Sequence, residues 1–347
     1  MKKVFVGLSG GVDSSVAAAL LKEQGYDVVG VYMKNWTKDL PGMPCPWLDD
    51  FQDAKRVAVQ LGIDFRVYDF EKQYFDKVVK YMLEGFKAGF TPNPDIMCNQ
   101  EIKFKLFLET ALEDGADLIA TGHYARTRKG HLLIAKDVNK DQTYFLHRVS
   151  EGAFRKTIFP LGELTKPEVR KIARKYKLVT ADKKESMGIC FVGKVGIKDF
   201  LRQYVKEKPG KIIDQSGNAI GQHDGALFYT IGQRHGLEVG GGLPYYVAGK
   251  NMAKNEVYVT SDLQDNRLWS RKVKFSSAHW INGEPRFNKK LFARTRHRAA
   301  LEPVNKLNML SNSQWSAELK SDVRALTPGQ AVVFYSGDYC LGGGIVT

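Results

Sequence analysis

Cysteine is scarce in this chain. The four present, Cys45, Cys98, Cys190 and Cys340, are too few and too widely spaced for a disulfide scaffold or a Cys-x-x-Cys metal site. Long apolar runs are also missing: nothing approaches the roughly 20 uninterrupted apolar residues of a spanning helix, and mean hydropathy is −0.32. A membrane-crossing protein is thereby excluded. The start Met1-Lys2-Lys3-Val4-Phe5-Val6 imitates a secretory leader, but its apolar run is cut short by Ser9-Gly10-Gly11-Val12-Asp13-Ser14, which argues against one. The expectation is a mature cytoplasmic protein with its cysteines as thiols. Acid is the remaining shortage: 38 Asp and Glu face 52 Lys and Arg, a net charge of +14. The surplus lies in two segments, ten basic against three acidic residues over 155–184 and ten against one over 267–298. Such blocks suit a polyanion larger than a nucleotide, because each neutralised phosphate releases counterions. Two merely solvated basic faces would show the same pattern.

What is present is an ordinary globular composition, 43% hydrophobic and 26% charged over 347 residues, enough for two or three domains. Up to about residue 137, short β-branched runs alternate with helical patterns: Val4–Gly7 then 13–24, Val28–Met33 then 48–61, Phe65–Phe70 then 72–87, and 101–113 before 118–121. That order predicts an α/β fold with a parallel sheet, whose ligands sit at the carboxyl ends of the strands. Thr165-Lys166-Pro167-Glu168 reads as a capping box opening a basic helix to Lys177. Past Pro209-Gly210 the pattern becomes short strands, at 211–213, 226–230, 245–248 and 256–260, then 292–298, 315–319 and 331–335. The expected domains are 1–205, catalytic; 206–267, small and β-rich; and 268–347, a β-barrel that binds RNA. Strand alternation would set Arg294, Arg296 and Arg298 on one face.

Gly7-Leu8-Ser9-Gly10-Gly11-Val12-Asp13-Ser14 joins the first strand to the first helix, where backbone N–H groups and the helix dipole make an anion site. It lacks the lysine of a P-loop and the Gly-x-Gly-x-x-Gly of a dinucleotide fold. An acid, Asp13, stands where the lysine would be, and an acid beside phosphates implies a shared Mg²⁺. Ser-Gly-Gly-Val-Asp-Ser resembles the PP-loop of the ATP pyrophosphatases, which have an adenine nucleotide α-hydrolase-like fold and cleave ATP between the α- and β-phosphates.

Asn93-Pro94-Asp95-Ile96-Met97-Cys98 places a thiol near a helix N-terminus, where the dipole favours a thiolate, with Asp95 within reach as a proton carrier. Read alone, Cys98 would more often be a small buried residue and Asp95 a simple helix cap. Cys190 lies in a glycine-bounded loop, Gly188-Ile189-Cys190-Phe191-Val192-Gly193. Cys45 and Cys340 have no comparable setting.

With Met33-Lys34-Asn35-Trp36, Thr121-Gly122-His123-Tyr124, Lys140-Asp141-Gln142 and Leu341-Gly342-Gly343-Gly344-Ile345 added, the chain resembles the bacterial tRNA-specific 2-thiouridylase family nearly end to end. At 296–298 it carries Arg-His-Arg, and it stops three residues after Gly344. The resemblance implies ATP contacts at Gly7, Leu8, Ser9, Gly10, Gly11, Val12, Asp13, Ser14, Met33 and Gly122. It implies target-base contacts at Asn93, Pro94 and Asp95, and tRNA contacts at His123, Lys140, Asp141, Gln142, Arg296, His297 and Gln330. It further implies Cys98 as nucleophile, Cys190 as persulfide carrier, Asp95 as acid and base, a Cys98–Cys190 disulfide formed in turnover, and an external sulfur donor. The expected activity is ATP-dependent 2-thiolation of a tRNA wobble uridine. Two other readings compete: a PP-loop reaction without a cysteine pair, and a nucleotide-gated RNA-binding module.

Overall fold

The computed structural model describes every residue except 40–46, 185–195, 238, 241, 243, 286–289 and 312. Cys45, Cys190 and the whole Gly188–Gly193 string therefore lie outside the described residues.

The chain opens with β1 (Lys3–Gly7), α1 (Val12–Glu23), β2 (Asp27–Lys34), α2 (Trp47–Leu61) and β3 (Asp64–Asp69). After a helical stretch come β4 (Leu118–Ala120), a hairpin of β5 (Arg126–Arg128) and β6 (His131–Leu133), and β7 (Thr157–Ile158). Five strands form one parallel sheet in the order β3-β2-β1-β4-β7. Val4, Phe5 and Val6 of β1 are fully enclosed, because helices cover both faces. Phe5 belongs to one core and Val4 and Val6 to the other, as the two-residue period of a strand requires. The capping box closes as expected: Glu168 accepts from the Thr165 backbone N–H at 2.6 Å, and the helix runs Lys166–Lys175.

A second sheet holds β8 (Gly210–Ile213), β9 (Ala219–His223), β10 (Tyr246–Asn251) and β11 (Glu256–Thr260) in the order β10-β11-β8-β9. The strand expected over 226–230 does not form; Ala226–Phe228 is a 3₁₀ turn. Gly225, at φ 152°, breaks the extended path, and the Ala226 N–H goes to Asn255 Oδ1 at 3.0 Å instead of to a ladder partner.

The last unit is a barrel of β12 (Trp269–Trp280), β13 (Phe292–Arg294), β14 (Glu302–Ser311), β15 (Gln314–Arg324), β16 (Ala331–Ser336) and β17 (Tyr339–Val346). Pairing of β12 with β17 closes six strands around Val273, Phe275, Trp315 and Phe334. The glycine run near the C-terminus is part of this closure, since a Cβ on Gly343 would lie 2.1 Å from the Val332 carbonyl oxygen.

The arginine row expected on one barrel face is corrected here. β13 ends at Arg294, and the chain turns at Arg296–Ala299 through an Ala299 N–H to Arg296 O bond of 3.1 Å. Arg294 points inward and pairs with Asp141 at 3.2 Å, with side chains only 7% and 0% exposed.

One connection was not visible in the sequence. The β5–β6 hairpin leaves the first domain and pairs with β17, Tyr339 opposite Leu133 and Cys340 opposite Leu132. The barrel is thus sewn to the nucleotide-type domain by main-chain bonds.

Candidate functional site

The loop after β1 is organised by its own hydroxyls. Ser14 Oγ donates to the Gly11 carbonyl (3.1 Å) and accepts from the Ser9 N–H (3.1 Å), while Ser15 Oγ donates to the same carbonyl at 2.8 Å. Leu8 turns the other way, buried, its N–H given to Val31 O at 2.8 Å. Gly122, just past β4, closes directly on this loop: a Cβ there would lie 2.6 Å from the Ser14 nitrogen. Only glycine permits that approach.

Two cavities meet over the loop. A smaller one, about 190 Å³, is walled by Gly7, Ser14, Met33, Gly122, His123 and Lys103. A larger one, about 310 Å³, continues from Ser9, Asp13 and Gln142 toward Lys140, Lys166, Lys183 and Arg298. The expected ATP residues Gly7, Ser9, Gly11, Val12, Asp13, Ser14, Met33 and Gly122 thus line two adjoining spaces at the carboxyl edge of the sheet, although Met33 and Gly122 are distant from the loop in sequence.

Asp13 has a partner that the sequence reading did not identify. Lys166 Nζ sits 2.6 and 2.8 Å from its two oxygens, and the Tyr124 hydroxyl donates to it at 3.0 Å. Lys183, similarly unanticipated, bridges Asp50 (2.8 Å) and Asp53 (2.7 Å) of α2. The signal for Lys166 was its place at the first helical position, inside the capping box. As for a metal, no group of three or more His, Cys, Asp or Glu among the described residues could hold one. One carboxylate at Asp13 fits Mg²⁺ only as an ion shared with phosphate oxygens.

His123 is 8% exposed, with Nδ1 2.8 Å from Thr121 Oγ1 and its ring against Phe104 and Phe159. Burial, reinforced by the charge of Lys103, holds it well below the usual imidazole range, so it is neutral. Lys140 and Gln142 face the larger cavity. Asp141 between them is enclosed, accepting from Ala135 N–H (3.0 Å), Thr143 Oγ1 (2.7 Å) and Arg294. Arg296 spends its guanidinium on the carbonyls of Ile231 and Ala325. His297 packs its ring on Phe145 at 4.5 Å, tilted by 42°, and burial next to Arg298 and Arg294 brings it down to about 4.

The second group gathers elsewhere. Asn93 caps a helical run at Pro94–Met97, accepting from the N–H groups of Asp95 (3.1 Å) and Ile96 (3.4 Å). Asn93, Pro94, Asp95 and Gln330 line a cleft of about 510 Å³ together with Lys198 and Phe228, so all three domains contribute. Gln330 donates to the Thr91 carbonyl at 2.7 Å. Cys98 begins a π-helical stretch, Cys98–Leu106, one turn into the helix; it is 1% exposed, in the core, and lines none of these cavities. Cys340 is buried at the barrel seam, where burial pushes its thiol far up.

Comparison with known proteins gives three consecutive family matches: a tRNA methyl transferase HUP domain over residues 2–194, a tRNA methyl transferase PRC-barrel domain over 198–261, and an aminomethyltransferase beta-barrel domain over 270–346. The chain is 49% identical to the tRNA-specific 2-thiouridylase MnmA of Oceanobacillus iheyensis, over 99% of this chain and 94% of that protein. It is 48% identical to MnmA of Bacillus subtilis, again over 99% and 94%. With that likeness over its whole length, and with the phosphate loop and its distant partners assembled at one edge of the sheet, the chain belongs to the tRNA-specific 2-thiouridylase (MnmA) family.

Proposed function

We propose that the protein converts the wobble uridine of tRNA to 2-thiouridine, using ATP. The observation that carries this reading is the cavity pair over Gly7–Ser14, which offers a nucleoside-sized space beside Met33 and Gly122 and a cationic one beside Lys140, Lys166 and Lys183. The uridine C2 oxygen attacks the α-phosphorus of ATP, the bond to the β-phosphate breaks, and pyrophosphate leaves. Oxygen alone is a poor leaving group; adenylated, it departs as AMP. Mg²⁺, when bound, would offset phosphate charge beside Asp13.

Sulfur arrives as a persulfide on Cys190. Attack of the Cys98 thiolate on the Cys190 sulfur forms a Cys98–Cys190 disulfide and expels sulfide; the persulfide's outer sulfur is reduced as the two cysteines are oxidised. Sulfide then adds at C2, and AMP leaves. A persulfide donor reloads the enzyme, and a reductant reopens the disulfide. Asp95, at the cleft with Asn93 and Pro94, exchanges protons with the uracil. Support for this placement is the shared wall of Asn93, Pro94, Asp95 and Gln330. We divide the chain at 205/206 and 267/268, a division that the three sheets follow except for the β5–β6 hairpin, which joins the barrel sheet. No helix among the described residues is long and apolar enough to cross a membrane.

The test is product analysis of tRNA with protein, ATP and a sulfide source. AMP, pyrophosphate and thiouridine should form together; RNA binding without AMP release would support a gated binding module instead.

A further inference from the structure

The larger cavity over the phosphate loop has a wall that comes from the barrel. Arg298 lines it together with Ser9, Gly11 and Asp13, although it belongs to the segment after β13. Three features mark this arginine. Of the cations around the cavity, Lys166 is engaged with Asp13, Lys183 with Asp50 and Asp53, and Lys140 within its own contacts, which leaves Lys184 and Arg298 as the two without an ion pair or hydrogen bond among the described residues. Arg298 is exposed. Its backbone is in the left-handed region, φ 63°, which a non-glycine residue holds only where its surroundings enforce it.

The enforcement is visible in the residues that lead into it. Arg294 is fixed by the buried Asp141 carboxylate, and Arg296 by carbonyls of Ile231 and Ala325. His297 is clamped on Phe145, and its Nδ1 is buried with no partner. A strained turn held at three successive points therefore presents one uncommitted guanidinium to a cavity whose floor is a phosphate loop. A planar fork of N–H donors matches phosphate oxygens.

We propose that Arg298 is a ligand of the nucleotide's terminal phosphates, so that the barrel completes the ATP site and holds the pyrophosphate group as it leaves. This inference rests on the reading of the cavity as an ATP site. It also makes the barrel's attachment and ATP affinity reciprocal: whatever shifts one shifts the other.

The same guanidinium could instead meet a phosphate of the tRNA backbone, so the test separates the two sources. Binding of ATP, AMP and inorganic pyrophosphate is measured by calorimetry on the full chain without tRNA, and tRNA binding separately, for the parent, Arg298→Ala and Arg298→Lys, with thermal midpoints as a check on folding. In the expected result, Arg298→Ala loses about tenfold or more in ATP and pyrophosphate affinity, AMP binding is unchanged, and Arg298→Lys falls between. Unchanged ATP affinity with weakened tRNA binding would overturn the proposal in favour of an RNA phosphate contact. Equal loss for AMP and ATP would overturn it as an effect on cavity shape. A parent protein that binds neither ATP nor pyrophosphate would instead remove the nucleotide reading itself. If Arg298→Ala lowers the thermal midpoint, Arg298→Gln, of similar length and uncharged, gives the same comparison.

Discussion

Lys166 Nζ lies 2.6 and 2.8 Å from the two carboxylate oxygens of Asp13, joining residues 153 positions apart in sequence. The phosphate loop lacks a lysine of its own, and the fold supplies one from the first turn of another helix. The pair is only partly exposed, 12% and 33%, so water screens it incompletely. An ammonium poised there can pass from the carboxylate to a phosphate oxygen when nucleotide enters. Lys166→Ala is therefore expected to lower the rate of AMP formation by on the order of 10²-fold, and Asp13→Ala to abolish it. Both should leave most tRNA affinity, measured by filter binding, intact. Equal loss of tRNA binding would contradict the assignment of Asp13.

The buried Arg294–Asp141 pair ties the loop bearing Lys140 and Gln142 to the barrel strand β13. Removing one partner strands a charge in the interior. Asp141→Ala should destabilise the protein by roughly 3–5 kcal/mol in urea unfolding. Asp141→Leu combined with Arg294→Met should recover much of that loss, because the replacement has no charge to desolvate.

Histidine burial gives a pH prediction with a definite sign. His147 is fully buried, its Nδ1–H donating to the Tyr144 carbonyl at 2.9 Å, and burial brings its imidazole down to about 3. In the unfolded chain it takes a proton near the ordinary value of 6.5. The unfolded state thus binds the proton first, so this contribution to stability is fully present above pH 6.5 and is lost as pH falls toward 3. His123, depressed by burial, acts in the same direction. Urea midpoints should decline from pH 7.5 to 4.5, and more steeply in the parent than in His147→Asn; identical slopes would contradict the assignment.

Much of this was legible in the sequence because local rules agreed with the fold. β-branched runs alternating with amphipathic helices gave the parallel sheet, and Thr165 with Glu168 gave a helix start that the structure reproduces. Apart from the strand expected over 226–230, which Gly225 breaks locally, the misses come from long-range partnership. Arg294 reads as an exposed strand residue until Asp141, from the other domain, meets it. The β5–β6 hairpin, three residues a side and mostly polar, has too little pattern to announce itself and forms against β17. Lys166 and Lys183 looked like solvated charge, and only the fold turns them toward the phosphate loop.

The two thiols are expected to separate by role. Cys190→Ser should lose both sulfur loading and product, whereas Cys98→Ser should still load sulfur on Cys190 yet fail to pass it on. Intact-protein mass after incubation with a cysteine-derived donor distinguishes them. Persulfide on Cys98 but not on Cys190 would reverse the roles. Since Cys98 is buried and lines neither cavity over the phosphate loop, Cys98→Ser should leave ATP binding unchanged.

The most direct test of tRNA 2-thiolation is nucleoside mass spectrometry on unmodified tRNA incubated with the protein, ATP and sulfide. The expected result is one oxygen replaced by sulfur at the wobble uridine, with AMP and pyrophosphate released in equal amounts and no product when ATP is omitted. Thiouridine formed without ATP, or AMP released while every uridine keeps its oxygen, would contradict it.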